Sequence, residues 1–542
     1  MPDYIANMPM EEQIGQVLMA GFPTTRPSPE IIDLIQNQHI GGIILFSRNV
    51  QDTRQLLELT HSLQMTARAA GHRYPLLIAI DQENGMVQRL GDGAIGFPGN
   101  MALGAIGSEQ LVYDVAQATG RELKACGINM NLAPVVDVNN NPANPVIGVR
   151  SFGEDAREVA RLTSAAVKGY RAAGVITCLK HFPGHGDTAV DSHLSLPTIP
   201  YTLERLQAVE LAPFRSGIAA GADSVMIAHI HFPSLMPREV LPATVSPAIV
   251  RELLREQLGF DGVIISDCLE MQAVADTIGV GPGSVMALQA GIDLVLISHK
   301  YARQLAGIEA IQAAVRTGTL SPETVSRAAE RVLQLKERLL SWEDLPLPGA
   351  TIAASSEADQ QLRDRAYALS TTLVRNDEGL LPLHLEPDES VLLVFPQRES
   401  WTQVEDRQYP YEFFIESVRQ HHPHITALSI TSDSTDAAYE EIDRAARAAA
   451  VTIMVTVNAY QDRQQVDLMQ RLLQAGRPVI GIAVYNPYDL LAFPELGTYL
   501  VTYEYTRPAL ASAVRALFGE QQPQGHLPVS LPGLYAVGHL VV

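Results

Sequence analysis

The densest concentration of chemically capable side chains lies between Lys180 and His193, which reads Lys-His-Phe-Pro-Gly-His-Gly-Asp-Thr-Ala-Val-Asp-Ser-His. One lysine, three histidines and two aspartates crowd a segment in which Pro183, Gly184 and Gly186 prevent a helix. Asp191 and His193, two apart, fall on the same side of an extended segment, so the carboxylate can lie beside the imidazole. Such a partner orients the ring and raises its basicity, as a histidine that moves a proton near neutral pH requires. The rival readings are a solvated loop and a metal site made from His181, His185, His193 and the aspartates. No His-x-x-x-His or Cys/His spacing supports the latter, and neither metal nor cofactor is expected.

Asp267 is the second candidate, at the end of Gly-Val-Ile-Ile-Ser-Asp. A carboxylate that closes an apolar strand is held by a rigid backbone, as a nucleophile or electrostatic stabiliser must be. Its bland alternative is to cap a helix over residues 269–276. A carboxylate with a separate proton donor is the minimal set for displacement at a sugar anomeric carbon. Other ionisable residues also close apolar runs: Asp81, Asp137, Lys180 with His181, and His229 with His231.

The elements that must position these groups follow a regular beat. Apolar runs at Val17–Phe22, Gly42–Phe46, Leu76–Asp81, Met130–Asp137, Val175–Phe182, Ser224–His231, Gly262–Asp267 and Asp293–Ser298 alternate with amphipathic stretches such as Glu154–Ala172, Leu203–Ala220 and Pro247–Leu258. Continuous apolar strands alternating with helices predict a parallel sheet covered by helices, and eight units predict a (β/α)8 TIM-type barrel over residues 1–340. In that fold the strand ends meet on one face, so their recurrent ionisable residues predict a site there. Residues 341–357 lose periodicity and gain Pro, Gly and Ser, which predicts a linker. From 358 to 542, runs at Val391–Phe395, Ala450–Val455, Pro478–Val484 and Tyr499–Tyr503 predict a smaller α/β sandwich domain.

Composition narrows the partners. The formal net charge is -21 with no basic run, which argues against nucleic acid or an anionic membrane surface. The three cysteines, Cys126, Cys178 and Cys268, have neither metal-site spacing nor an even count, which suits a reducing compartment. No stretch approaches the length of an apolar membrane span and the first residues lack a leader pattern, so a soluble, cytoplasmic protein is expected.

These residues carry a resemblance. Lys180 to Thr188 followed by Asp191-Ser192-His193 resembles the signature of the β-N-acetylglucosaminidases within glycoside hydrolase family 3. Asp81-Gln82-Glu83, Gln88-Arg89, Leu132 to Val138, Asn144 to Gly148, Arg150 to Gly153 and Ser266 to Met271 agree, across most of residues 10–340. Leu373 to Asn376, Gly379 to Leu383 and Asn486 to Leu491 are similar to members with a second α/β domain.

The resemblance implies a retaining exo-acting hydrolase that removes terminal N-acetylglucosamine from peptidoglycan fragments or chitooligosaccharides, a small carbohydrate substrate. Asp267 would be the nucleophile, and His193, assisted by Asp191, the general acid and then base. Asp81, Arg89, Arg150, Lys180 and His181 would hold the sugar, the cations donating to hydroxyl oxygens and the aspartate accepting from them. The alternatives are a β-glucosidase or β-xylosidase, a phosphorylase in which phosphate replaces water, and a non-enzymatic sugar-binding regulator. One departure stands out. The family's Asp-Gln-Glu-Gly-Gly-Arg-Val becomes Asp81-Gln82-Glu83-Asn84-Gly85-Met86-Val87, and the turn is expected to survive because Asn tolerates positive φ.

Overall fold

Eight short parallel strands, β1 (Leu18–Ala20), β2 (Gly42–Leu45), β3 (Leu77–Ile80), β4 (Met130–Asn131), β5 (Ile176–Phe182), β6 (Ser224–Ile227), β7 (Val263–Ser266) and β8 (Val295–Ile297), lie side by side in sequence order, with β8 next to β1. The computed structural model describes residues 5, 7–91, 93–188, 196–238, 240–349, 356–398 and 409–541. A parallel bridge between Ile265 and Leu294, with the Ser266 N–H donating to the Leu294 carbonyl at 3.0 Å, brings β7 against β8. Circular order of this kind is the expected barrel, since a doubly wound sheet would reverse direction partway.

The strands read as continuous apolar runs because both faces are buried. Alternate residues Met19, Ile44, Leu77, Ala79, Met130, Ile176, Cys178, Met226, Ile265 and Leu296 form one cluster, while Leu18, Ile43, Ile78, Leu179, Val225, Ile264 and Val295 join another with the surrounding helices. The crossover helix Ala156–Ala172 shows how the coverings form. Asp155 accepts the Arg157 N–H at 2.8 Å to start it, and Val159, Leu162, Ala166, Val167 and Tyr170 put an apolar face inward.

Two elements differ from their sequence reading. The strand expected over Met130–Asp137 pairs regularly only at Met130–Asn131, because Pro134 has no N–H for the ladder. An isolated Val135–Lys180 bridge and the Val136 N–H bond to the Lys180 carbonyl, 2.8 Å, continue the pairing. The helix expected over Leu203–Ala220 divides into Leu203–Ala208 and Leu211–Ala219, since Pro213 cannot donate back to Val209.

The last barrel helix ends at Leu339 and the next begins at Glu357; residues 350–355 of the stretch read as a linker lie outside the described residues. The second sheet holds β9 (Thr372–Asn376), β10 (Val391–Pro396), β11 (Ile425–Ile430), β12 (Val451–Thr456), β13 (Val479–Ala483) and β14 (Thr498–Val501) in the order β11-β10-β12-β13-β14-β9. All pairs are parallel except β14 with β9. Helices complete the αβα sandwich that composition and periodicity predict. Barrel residues Met86, Met101, Ala102, Ala105 and Val149 belong to the core of this second unit, so the two parts share an apolar seam.

Candidate active site

The strand ends converge on a cavity of about 380 Å3. Asp81, Arg89, Arg150, Lys180, His181 and Asp267 all line it, so six of the eight residues singled out from sequence meet in one place. Asp191 and His193 lie outside the described residues; Thr188, the last described residue before them, is buried.

The wall opposite Asp267 is an ion-pair network. Lys180, at the end of β5, places Nζ 2.6 Å from Asp81 Oδ1 and 2.6 Å from Glu83 Oε1. Arg150 meets the same Glu83 with both faces of its fork, Nη2 to Oε1 and Nε to Oε2, each 2.8 Å. Burial disfavours the ammonium of Lys180, but Asp81 and Glu83 outweigh it and raise its pKa above the usual lysine value. Burial likewise opposes the charge of Glu83, yet Arg150 and Lys180 hold its carboxyl well below the usual carboxylate range. Glu83 escaped selection as a site residue, although a carboxylate two positions beyond Asp81 in the same strand-end loop was a usable signal.

His181 is fixed from behind. Its Nδ1 lies 2.8 Å from Asp137 Oδ2, and Arg150 Nη2 stands 3.5 Å from its Nε2. A guanidinium only donates, so in the neutral ring Nε2 is the acceptor and Nδ1–H points to Asp137. Asp137 itself is wholly buried and also accepts the backbone N–H groups of His181 and His185 at 3.2 and 2.7 Å. The strand-end aspartate therefore stands one layer behind the cavity. His229 and His231 also stay out of the lining. His229 is buried with Nδ1 2.6 Å from the Thr244 hydroxyl and Nε2 2.9 Å from the Cys268 carbonyl, and His231 Nδ1 lies 3.3 Å from the Leu241 carbonyl. His185 lines the cavity, with burial pushing its pKa down to about 4, so it is neutral at pH 7.

Asp267 follows β7 directly. Its N–H bonds to the Ile227 carbonyl at 3.1 Å and its Oδ1 accepts the Cys268 N–H at 2.7 Å. The short helix that follows begins at Gln272 with Met271 as its cap residue, so Asp267 is no helix cap. Burial pushes the neighbouring Cys268 thiol up to about 11, which leaves it an inert thiol at neutral pH. Phe46, Arg48, Met226, Met271, Ser298 and His299 complete much of the rim; none was selected from sequence. Arg48 is committed to the carbonyls of Phe22 and Ser298, at 3.0 and 2.9 Å.

The turn that departs from the family pattern survives: Asn84 has φ 68° and Gly85 φ 60°, and Asn84 donates to the Thr119 hydroxyl at 3.0 Å. Met86, where the family carries arginine, is buried in the apolar seam. Among the described residues no three His, Cys, Asp or Glu side chains are grouped as metal ligands, and no helix is long and apolar enough to cross a membrane.

A carboxylate facing a wall of directed donors and acceptors suits attack on an uncharged, hydroxyl-rich molecule. Residues 9–335 match the glycosyl hydrolase family 3 N-terminal domain. The chain is 33% identical to beta-hexosaminidase A of Pseudoalteromonas piscicida, over 94% of this chain and 92% of that protein. It is similar in structure to a glycoside hydrolase family 3 beta-N-acetylglucosaminidase of Paenibacillus sp. str. FPU-7, at 40% identity and TM-score 0.89, over 97% of this chain and 99% of that one. It also superposes on a fungal multi-domain GH3 beta-N-acetylglucosaminidase with TM-score 0.93 and 42% identity, over 98% of this chain but only 62% of that longer one.

Proposed function

The chain belongs to glycosyl hydrolase family 3, and on that footing we propose that it is a retaining exo-β-N-acetylglucosaminidase with Asp267 as nucleophile and His193, oriented by Asp191, as acid and base. The observation that carries this reading is the convergence of Asp267 with Asp81, Arg89, Arg150, Lys180 and His181 around one cavity of about 380 Å3, at the small end of the usual range for ligand sites.

In the first step Asp267 attacks the anomeric carbon while the glycosidic oxygen takes the proton of His193 and departs. That leaves a glycosyl ester on Asp267 and a neutral imidazole. In the second, the imidazole takes a proton from water, whose oxygen attacks the same carbon and releases Asp267. Two inversions give retention. The paired wall of Lys180, Arg150, Glu83 and Asp81 holds the hydroxyls with donors and acceptors already fixed against one another, so little reorganisation is left for the reaction.

The substrates of this reading are peptidoglycan turnover fragments or chitooligosaccharides, met in the cytoplasm. Three buried thiols without a disulfide support that compartment, and fractionation placing the protein outside the cell would overturn it. For the chemistry, Asp267→Ala and His193→Ala should each lower turnover of a chromogenic N-acetylglucosaminide by about three powers of ten or more. Unchanged turnover in either variant defeats the assignment, and a preference for the matching glucoside defeats the substrate.

A further inference from the structure

The loop after β4 is tied to the histidine loop by two side chains, Asp137, which accepts the His185 N–H at 2.7 Å, and Asn144. Asn144 Oδ1 accepts the N–H groups of Val146 and Ile147, at 2.9 and 2.8 Å. Its Nδ2 faces the carbonyls of His185 and Gly186, both 2.9 Å, and the Thr188 hydroxyl at 3.3 Å. Gly186 is pressed so close that a Cβ there would stand 1.7 Å from the Val138 carbonyl oxygen. The stem of the histidine loop therefore takes its position from the β4 loop, which also supplies Val146 and Arg150 to the cavity.

The β4 loop in turn is held from the second domain. The Tyr460 hydroxyl donates to the Pro142 carbonyl at 2.6 Å, and Asn139 Nδ2 donates to the Tyr488 hydroxyl at 2.9 Å. The two tyrosine rings meet edge to face with centroids 5.6 Å apart. Asn486 packs over Gly148, where an added Cβ would lie 2.6 Å from its Oδ1. Asp489 Oδ1 accepts the Tyr460 N–H at 3.3 Å and so anchors the tyrosine to its own domain.

We propose that the second domain is a positioning element for proton transfer, with Tyr460 acting through Pro142 and Asn144 on the stem from which Asp191 and His193 follow. Asp191 stands three positions and His193 five positions after Thr188 along the chain. A fully extended chain of three residues spans about 10 Å and one of five about 17 Å, so fixing Thr188 bounds where both can reach. This rests on the reading of His193 as proton donor. It assigns Tyr460 and Asn144 as positioning residues that do not touch the reacting atoms.

The test uses the full chain carrying Tyr460→Phe and a series of aryl N-acetylglucosaminides whose phenols range from strongly to weakly acidic. An acidic phenol departs without protonation and a weakly acidic one needs it. Loss of positioning should leave kcat/KM within about 2-fold for the most acidic phenol and lower it about 10-fold or more for the least acidic, a misplacement-sized effect. His193→Ala should show the same trend more steeply. Asn144→Asp, which cannot donate to the His185 and Gly186 carbonyls, should follow Tyr460→Phe and decides the matter if that variant melts early. An equal loss across all phenols, as a lower active fraction would give, or no loss at all, overturns the inference while His193→Ala keeps its slope. A flat response in His193→Ala overturns the assignment of the donor, and this inference with it.

Discussion

Replacing Glu83 by glutamine probes the wall of the cavity with almost no change in volume. Glu83 is 5% exposed and satisfies three donors: Lys180 Nζ and Arg150 Nη2 on Oε1, at 2.6 and 2.8 Å, and Arg150 Nε on Oε2 at 2.8 Å. A glutamine keeps one acceptor and turns the other into an NH2, which must face a donor of Arg150 or Lys180. Each bond to a charged group contributes about 1.5–3 kcal/mol, and removing one member of a buried pair costs about 3–5 kcal/mol. The carboxylate also balances the site, where Asp81, Glu83 and Asp267 face Arg89, Arg150 and Lys180. Without it the cations outnumber the carboxylates and the Arg150 fork loses part of its pairing, keeping Nη1 on the Val146 carbonyl at 3.0 Å. If about 3 kcal/mol of the loss falls on the transition state, kcat/KM drops about 100-fold. The assay is kcat/KM on a chromogenic N-acetylglucosaminide, with thermal melting on the same sample. A variant within about 3-fold of the parent at unchanged melting temperature refutes the idea that this network organises the site.

Two further outcomes concern stability. Burial pushes Glu122 up to about 7 from its ordinary 4.5 while it accepts the Ile95 N–H at 2.8 Å. The folded chain holds that proton to higher pH than the unfolded chain, so this group contributes stability below about pH 4.5 that is lost as pH rises to about 7, on the order of 3 kcal/mol. Glu122→Gln keeps the acceptor and should shrink the fall in melting temperature between pH 5 and 8; an unchanged fall sinks this account. Met86→Arg, which restores the residue expected from the family pattern, puts a charge into the apolar seam between the domains. It should cost several kcal/mol and lower the melting temperature clearly, and a melting temperature equal to the parent's contradicts the packing described.

How much of this was legible follows from what each signal depends on. The barrel could be read because strands buried on both faces leave unbroken apolar runs, and because a strand end fixes where its last side chains gather. Asp81, Lys180, His181 and Asp267 were found that way. The same rule placed Asp137, His229 and His231 at strand ends but could not tell cavity-facing from rearward side chains, which depends on neighbouring strands. Glu83 was harder, since it sits past β3 in a loop whose path is set by Arg150 and Lys180, far along the chain. β11 was not read as a strand because it is an edge strand, half exposed along most of its length, and carries polar residues accordingly. The contact of Tyr460 with Pro142 spans 318 residues and leaves no local pattern at either end.

The two halves of the site are secured by different means. Asp267 is held inside the barrel, by Ile227 through its own N–H and through Cys268, whose carbonyl lies against His229. The β3 and β4 loops that carry the opposing wall reach across to the second domain. Glu504 Oε2 accepts the Gly99 N–H at 2.8 Å, close enough to Gly85 that a Cβ there would stand 2.8 Å from the same oxygen, and Tyr460 holds Pro142. A nucleophile needs one fixed carboxylate, which a strand end supplies by itself. A wall that must align several donors with a flexible, hydroxylated ring needs loops, and loops lack the backbone ladder that keeps strands rigid. The second domain supplies that missing rigidity, which accounts for why it shares an apolar seam and buried hydrogen bonds with these two loops while none of its described residues adds an acid or base to the cavity lining.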